Sequence, residues 1–474
     1  MSREKSLGKI YENQDYLKAL SREIWSYAEL AFKEEKSSEA LCRALDKFGF
    51  KVEKNVYGIP TAFKGTFGSG KPVIGVLGEF DALSGMSQIA CSFEKEADPS
   101  RTNGHGCGHN LLGVGSLAAA IAIKDYLESN DKSGTVIYFG CPGEEGGSGK
   151  TFMAREGAFE NLNFSLGWHP SAANTVVRGS NLANYQILYE FEGTSAHAAH
   201  CPELGRSALD AAELMNVGAN FLREYVPDSS RIHYALLDAG GTSPNVVQAY
   251  AKVPYLMRGE TIFAAKEIYD RMNDIAQGAA LMTGTKVKSK FIKACSNILP
   301  NDYLGDIADE SFAEIKVPEY TEEELEFAEK MSATNSNRGN DIIDRGRSLG
   351  VENEVAEYKD RPIYNFVFPN SHAYPIVKSS TDIGDVSWNC PNLYINTSTW
   401  VAGTAAHSWQ AVSQGAYSIA EKGMLYAGSI LAMVAFKLID SPEKLEKAKE
   451  EYLMRLDGRK YSCPISKGVN PGLL

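Results

Sequence analysis

The sequence is short of positive charge, of long apolar runs and of cysteine. Lysine and arginine number 48 against 60 aspartates and glutamates, a net charge of −12. Such a surface offers no electrostatic footprint to phosphate backbones or anionic lipid. Nucleic acid and membrane are therefore not expected as partners. No apolar run follows the charged opening Ser2-Arg-Glu-Lys5. No stretch reaches the ~18 apolar residues of a spanning helix. Neither a signal peptide nor a transmembrane segment is expected, which points to a cytoplasmic protein. Internal repeats and low-complexity tracts are lacking. The eight cysteines, at 42, 91, 107, 141, 201, 295, 390 and 463, read in a reducing compartment as buried packing residues or metal ligands rather than disulfides.

What is present is a globular composition, 43% hydrophobic and 23% charged, over 474 residues. That length exceeds what one ordinary core fills and predicts two domains, or one large domain carrying an insertion. After two amphipathic stretches (Tyr16 to Phe32, Ser37 to Phe48), strand-like and helical runs alternate. Strands are predicted at Pro72–Gly78, Thr135–Phe139 and Phe164–Trp168, helices at Leu111–Leu127 and Lys150–Gly157. This is the order of a mostly parallel α/β sheet flanked by helices, in which ligands sit outside the carboxyl ends of the strands. From Asn184 the pattern becomes β-α-β-β-α-β. Strands are predicted at Tyr185–Phe191, Arg231–Leu237, Val246–Met257 and Val287–Ile292, helices at Gly205–Tyr225 and Thr261–Met282. That is the ferredoxin-like α+β arrangement at the size of an insertion. The expected division is a discontinuous catalytic domain, 1–182 and 298–474, interrupted by a domain over 183–297. The charged stretches Thr321–Lys330 and Ser332–Arg347 read as loop-rich, and helices are predicted at Ala416–Leu438 and Glu443–Leu456, the latter with a solvated face.

Chemistry-bearing residues follow strand after strand in the first half. Glu79 and Asp81 close the first run, His105-Gly-Cys107-Gly-His109 precedes the Leu111 helix, Glu144-Glu145 follow the Thr135 strand, and His169 follows the Phe164 strand. Cys-x-His between glycines lets a thiolate and an imidazole reach one centre from one short loop. Paired glutamates are usually a solvated helix start. Here they stand between Cys141-Pro-Gly143 and Gly146-Gly-Ser-Gly149, on a sharp turn. Such a pair suits a division of labour in which one carboxylate binds a cation and its neighbour accepts a proton. Gly149-Lys150-Thr151 imitates the end of a P-loop, but Glu144 stands where that motif needs glycine, and its carboxylate would face the phosphates.

Four motifs in order, Asn103-Gly-His-Gly-Cys-Gly-His-Asn-Leu-Leu-Gly113, Cys141-Pro-Gly-Glu-Glu-Gly-Gly147, Gly193-Thr-Ser-Ala-His-Ala-Ala199 and Gly403-Thr-Ala-Ala-His-Ser-Trp409, resemble the metal-dependent amidohydrolases and exopeptidases of the aminoacylase, carboxypeptidase G and hippurate hydrolase superfamily. Within it the chain is most similar to the branch of aminobenzoyl-glutamate hydrolase B-type chains and related dipeptidases, from about Ser21 to Gly428. The resemblance implies a catalytic α/β domain binding two divalent cations, manganese or zinc, and an inserted domain that dimerises and covers the site. It implies Cys107, His109, Glu145, His169 and His407 as metal ligands, Glu144 as general base and acid, and Asp81 as the residue that orients the site. His197 matches the histidine that reaches into the partner subunit to steady an oxyanion, and Asn245 and Arg258 match positions that hold the substrate carboxylate.

Three departures stand out. Glu79 replaces a metal-binding histidine of other exopeptidases, Asn110 an aspartate, and Ser84-Gly85 a proline. His105 is open between a supporting and a structural role, and His200, His233 and His372 read as structural, His233 being close enough to the Asn245 segment to line the lid. The implied activity is hydrolysis of the amide linking an acyl or aminoacyl group to an amino acid with a free carboxylate, of the aminobenzoyl-glutamate type. A dipeptidase for β-alanyl or basic dipeptides, and a non-catalytic or partner-dependent chain, are the alternatives. A homodimer is expected, with a hetero-oligomer containing a paralogous A-type chain as a further arrangement.

Overall fold

The computed structural model describes residues 2–371 and 373–471; His372 lies outside them. The first strands, β1 (Lys51–Lys54), β2 (Phe63–Ser69), β3 (Val73–Glu79), β4 (Gly134–Cys141), β5 (Phe164–Ser171) and β6 (Thr175–Val176), lie in a seven-stranded sheet. A short β7 (Ser180–Asn181) leads into β8 (Ala183–Glu192), β9 (Arg231–Tyr234), β10 (Tyr250–Gly259) and β11 (Lys286–Cys295), and the chain returns through β12 (Ile376–Val377) and β13 (Asn392–Ser398). The large sheet runs β1-β2-β4-β3-β5-β13-β6, with β4, β3, β5 and β13 parallel and antiparallel strands at both edges. Its β3, buried along nearly its whole length, is a continuous apolar run because helices cover both faces.

On one face pack the helices His109–Ser129 and Ser418–Asp440. Both are long and apolar enough to cross a bilayer by length and composition, which corrects the expectation that no stretch qualifies. In each, 89% of the apolar window is buried inside the fold, so the apolarity belongs to the core. The two approach closely because Gly428 has no side chain; a Cβ there would lie 2.9 Å from the Ala118 methyl.

Two further expectations are corrected. The charged segments read as loops contain helices Glu322–Ser332 and Asn340–Leu349. The first starts with a capping box between Thr321 and Glu324 and buries Phe327, Ala328 and Met331 on one side, so its acidic residues are one face of an amphipathic helix. Strand β13 is absent from the expected elements, because its Asn, Thr and Ser residues interrupt the apolar pattern, yet it lies between β5 and β6.

Strands β8 to β11 form a separate antiparallel sheet of order β11-β8-β10-β9, with helices Ala208–Leu222 and Ile262–Thr283 packed on it. An apolar cluster runs without a break from Phe152 and Phe159 beside the large sheet into Ile187, Met215 and Met272 of this unit. The two units therefore share a core.

Candidate metal centre

Each expected ligand lies at or just beyond the end of a parallel strand, or in a loop tied to one. Asp81 lies two residues past β3, Glu144 and Glu145 follow β4, and His169 lies near the end of β5. Gly108, at φ +75°, turns the Cys107 loop into the helix that begins with His109. Gly143, at φ +70°, makes the turn before Glu144 and donates its N–H to Glu34 Oε1 at 2.9 Å. His407, itself at φ +59°, is held to the Cys107 loop by its N–H, which donates to Gly106 O at 2.8 Å.

These residues converge. Ligand atoms of Cys107, His109 and His169 lie within 4.8 Å of one another, as do those of Cys107, Glu145 and His407, and those of His109, Glu144 and Glu145. Cys107 Sγ lies 3.3 Å from His169 Nε2, and His407 Nε2 3.3 Å from Glu145 Oε1. His109 Nδ1 is 2.9 Å from Asp81 Oδ1, whose other oxygen accepts the Glu145 N–H at 2.9 Å. One aspartate thus orients two of the grouped residues, and an Nδ1–H donated to Asp81 leaves Nε2 as the nitrogen open to a cation.

A divalent cation fits this donor set. Buried His109 Nε2 and Glu145 Oε1 have no hydrogen-bond partner despite their neighbours, and a thiol, three imidazoles and a carboxylate are the donors that borderline divalent metals accept. Burial pushes the Cys107 thiol up, a preference that a coordinated cation reverses.

The adjacent glutamates differ in charge state. Burial, then the carboxylates of Glu79, Asp382 and Glu145, push Glu144 up to about 8 against the pull of Lys150. Burial acts the same way on Glu145, but the imidazoles of His407 and His109 outweigh it and hold that carboxyl at about 2. Carboxyls driven apart in this way divide the work between proton transfer and charge stabilisation.

Beneath the cluster lies a buried triad that sequence reasoning misses. Lys150, wholly buried, is 2.7 Å from Glu79 Oε1 and paired with Asp382, which also accepts the Lys150 backbone N–H at 2.8 Å. Glu79 Oε2 lies 3.2 Å from His109 Nε2. The available signal is a lysine beside a glutamate pair in a glycine-rich run, which in sequence resembles only a broken P-loop. His105 is buried against Ile24 O at 3.1 Å, and burial lowers it to about 3.

The second unit adds Lys293, whose Nζ donates to Glu145 O at 3.2 Å. Arg258 on β10 donates Nη1 to Ser380 Oγ. His197 and Asn245 are exposed and adjacent: His197 pairs with Val246, and Ala198 N donates to Asn245 O at 2.9 Å. No contact among the described residues joins either to the expected ligands of the same chain. His197 Nδ1 accepts the N–H groups of Ala199 and His200, at 3.3 and 3.1 Å, which leaves Nε2 as the donor nitrogen of the ring. His200 and His233 are exposed side chains of this unit. Beside Glu145 opens a cavity of about 390 Å³ walled by Leu30, Phe32 and Leu83.

Residues 75–387 match the peptidase family M20/M25/M40. The chain is 45% identical over 460 residues to the B-type chain of p-aminobenzoyl-glutamate hydrolase from Escherichia coli strain K12, covering 96% of this chain and 95% of that protein. It is 27% identical over 457 residues to the Xaa-Arg dipeptidase of Mus musculus, covering 94% of this chain and 91% of that protein. A crystal structure of an aminobenzoyl-glutamate utilization protein from Klebsiella pneumoniae superposes with a TM-score of 0.57 at 17% identity, over 88% of this chain and 96% of that one. The chain belongs to peptidase family M20/M25/M40.

Proposed function

We propose that this chain is a metal-dependent amidohydrolase that cleaves the amide joining an acyl group to an amino acid with a free carboxylate, of the aminobenzoyl-glutamate type. The observation that carries it is the convergence of three overlapping groups, two sharing Cys107 and the third joining His109 and Glu145 to Glu144. Cys107, His109, His169, Glu145 and His407 would hold two divalent cations, manganese or zinc. When bound, such cations polarise the scissile carbonyl and acidify the attacking water. Glu144 accepts the proton of that water and returns it to the leaving amine. Asp81 keeps His109 and the Glu145 backbone in place. The apolar walls of the cavity beside Glu145 suit an aromatic acyl group.

The unit 183–297 serves in this reading as a ferredoxin-like lid and dimerisation domain on a catalytic domain of 1–182 and 298–474. Its support is the β-α-β-β-α-β element order, together with apolar side chains such as Val217, Phe221, Leu281 and Met282 that stand exposed on its helices. In a homodimer the partner subunit's His197 donates Nε2–H to the oxyanion. Asn245 and Arg258 hold the substrate's α-carboxylate, because no described acid pairs with Arg258 and its burial lowers the guanidinium. A hetero-oligomer containing a paralogous A-type chain is the further arrangement, and assay of the purified protein alone decides whether it is needed.

The test is elemental analysis of protein purified without added metal, combined with a panel of N-acyl amino acids and dipeptides. Two equivalents of manganese or zinc and turnover of aminobenzoyl-glutamate are expected. A metal-loaded chain that cleaves dipeptides but no N-acyl amino acid would overturn the substrate class.

A further inference from the structure

A cavity of about 500 Å³ is walled by Thr175, Val176, Asn396, Pro375, Val377 and Arg345. Its position follows from strand register. Asn396 on β13 lies opposite His169 on β5, and Thr175 on β6 lies opposite Asn396. Register partners point to the same face, and neighbouring strands are about 4.8 Å apart. The row His169, Asn396, Thr175 therefore leads from a metal ligand into the cavity in steps of about 5 Å. Ser171, two residues beyond His169 and so on the same face, accepts a hydrogen bond from Arg345 Nη2 at 3.2 Å.

Arg345 makes this hydrogen bond but, among the described residues, no ion pair. Among the described residues no carboxylate lies within ion-pair distance of it, and burial lowers its guanidinium. Asp341, one turn earlier, already accepts the Tyr364 hydroxyl at 2.8 Å and the Gly403 N–H at 2.9 Å. Asp344 is exposed and pairs with Arg347, and Arg178, also in the wall, is held by Asp306 and Asp309. From Val377 in the wall the chain continues to Ser380, the residue that accepts the Arg258 hydrogen bond. Arg345 in the wall and Arg258, bonded to Ser380 three residues along the chain from Val377, thus both lack a carboxylate partner among the described residues.

We propose that this cavity is the subsite for the side chain of the substrate's amino acid, and that Arg345 recognises a second carboxylate there, selecting acidic over neutral or basic residues. The inference rests on the amidohydrolase reading above, with Arg258 taking the α-carboxylate. A planar fork over a partly buried pocket suits a carboxylate and repels a cationic side chain.

Two measurements separate this inference from the reading on which it rests. In the first, the manganese-loaded wild-type enzyme and Arg345→Gln are assayed on aminobenzoyl-glutamate, aminobenzoyl-glutamine and aminobenzoyl-arginine. Wild type should prefer the glutamate by at least roughly 10-fold in kcat/KM, and Arg345→Gln should lose roughly 10- to 100-fold on glutamate, the worth of one hydrogen bond to a charged group, with under about 3-fold change on glutamine. In the second, calorimetry follows binding of the same compounds to Glu144→Gln protein, with and without Arg345→Gln. The same discrimination in binding without turnover by wild type would leave the subsite standing and remove the hydrolase reading. Equal use and binding of glutamate and glutamine by wild type, which needs no variant to fold, or equal loss on both in Arg345→Gln, would overturn the subsite. Arg345→Lys, which keeps the charge but not the fork, should retain part of the preference.

Discussion

At the residue scale the proposed chemistry depends on two neighbouring carboxyls being unlike. Glu145 is held anionic by His407 and His109, while Glu144 is lifted to about 8 by burial and by Glu79, Asp382 and Glu145. Replacing Glu144 with glutamine removes the proposed proton carrier but none of the five proposed ligands. Glu144→Gln is expected to retain its metal by elemental analysis and to lose roughly 10²- to 10⁴-fold in kcat; near-normal turnover with metal bound would refute the assignment. The sign of the pH dependence follows. A base works only when deprotonated, so kcat/KM should be present above its pKa and fall as pH drops through it. Bound cations would lower the carboxyl from about 8, so the acidic limb is expected below pH 8. A profile of kcat/KM that rises on acidification would contradict a Glu144 base.

At the scale of elements, the buried Lys150 joins three pieces: strand β3 through Glu79, the helix Gly149–Arg155 on which it sits, and the turn at Asp382 before the helix Ile383–Ser387. Lys150→Met leaves two buried carboxylates without a counter-charge, and breaking such an ion network costs about 3–5 kcal/mol. Denaturant unfolding should show that loss, and adding Glu79→Gln and Asp382→Asn should recover much of it; a single variant as stable as the parent would mean the charges are not coupled. Elements were legible in the sequence to the extent that burial was two-sided. Strand β3 and the helix His109–Ser129 announce themselves as unbroken apolar runs because both are enclosed. Strand β13 does not, since Asn392, Asn396, Thr397 and Ser398 are polar and are buried or half-buried. Their partners lie in distant segments: Asn392 Nδ2 donates to Ser165 Oγ at 2.9 Å, and Ser398 N to Asn174 Oδ1 at 2.8 Å. Likewise the acidic face of Glu322–Ser332 conceals a helix whose apolar buried stripe rests on Phe327, Ala328 and Met331.

At the scale of the whole molecule, the assigned ligands gather within the chain while His197 stands exposed on the second unit, without a contact to them among the described residues. If His197 serves the partner's site, mixing inactive Glu144→Gln with inactive His197→Ala should restore part of the activity through hybrid dimers. No recovery, with subunit exchange demonstrated by differently tagged chains, would mean that each site is complete in one protomer. The sequence by itself determined which residue types stand at the strand ends, because strand, glycine turn and ligand are local and adjacent along the chain. It also determined the alternation that builds the parallel sheet. Only the tertiary structure decided what those residues face. Arg345 meets Ser171 across 174 positions, and Lys150 meets Asp382 across 232. Such encounters are set by how sheets and helices close on one another, and no local pattern encodes them.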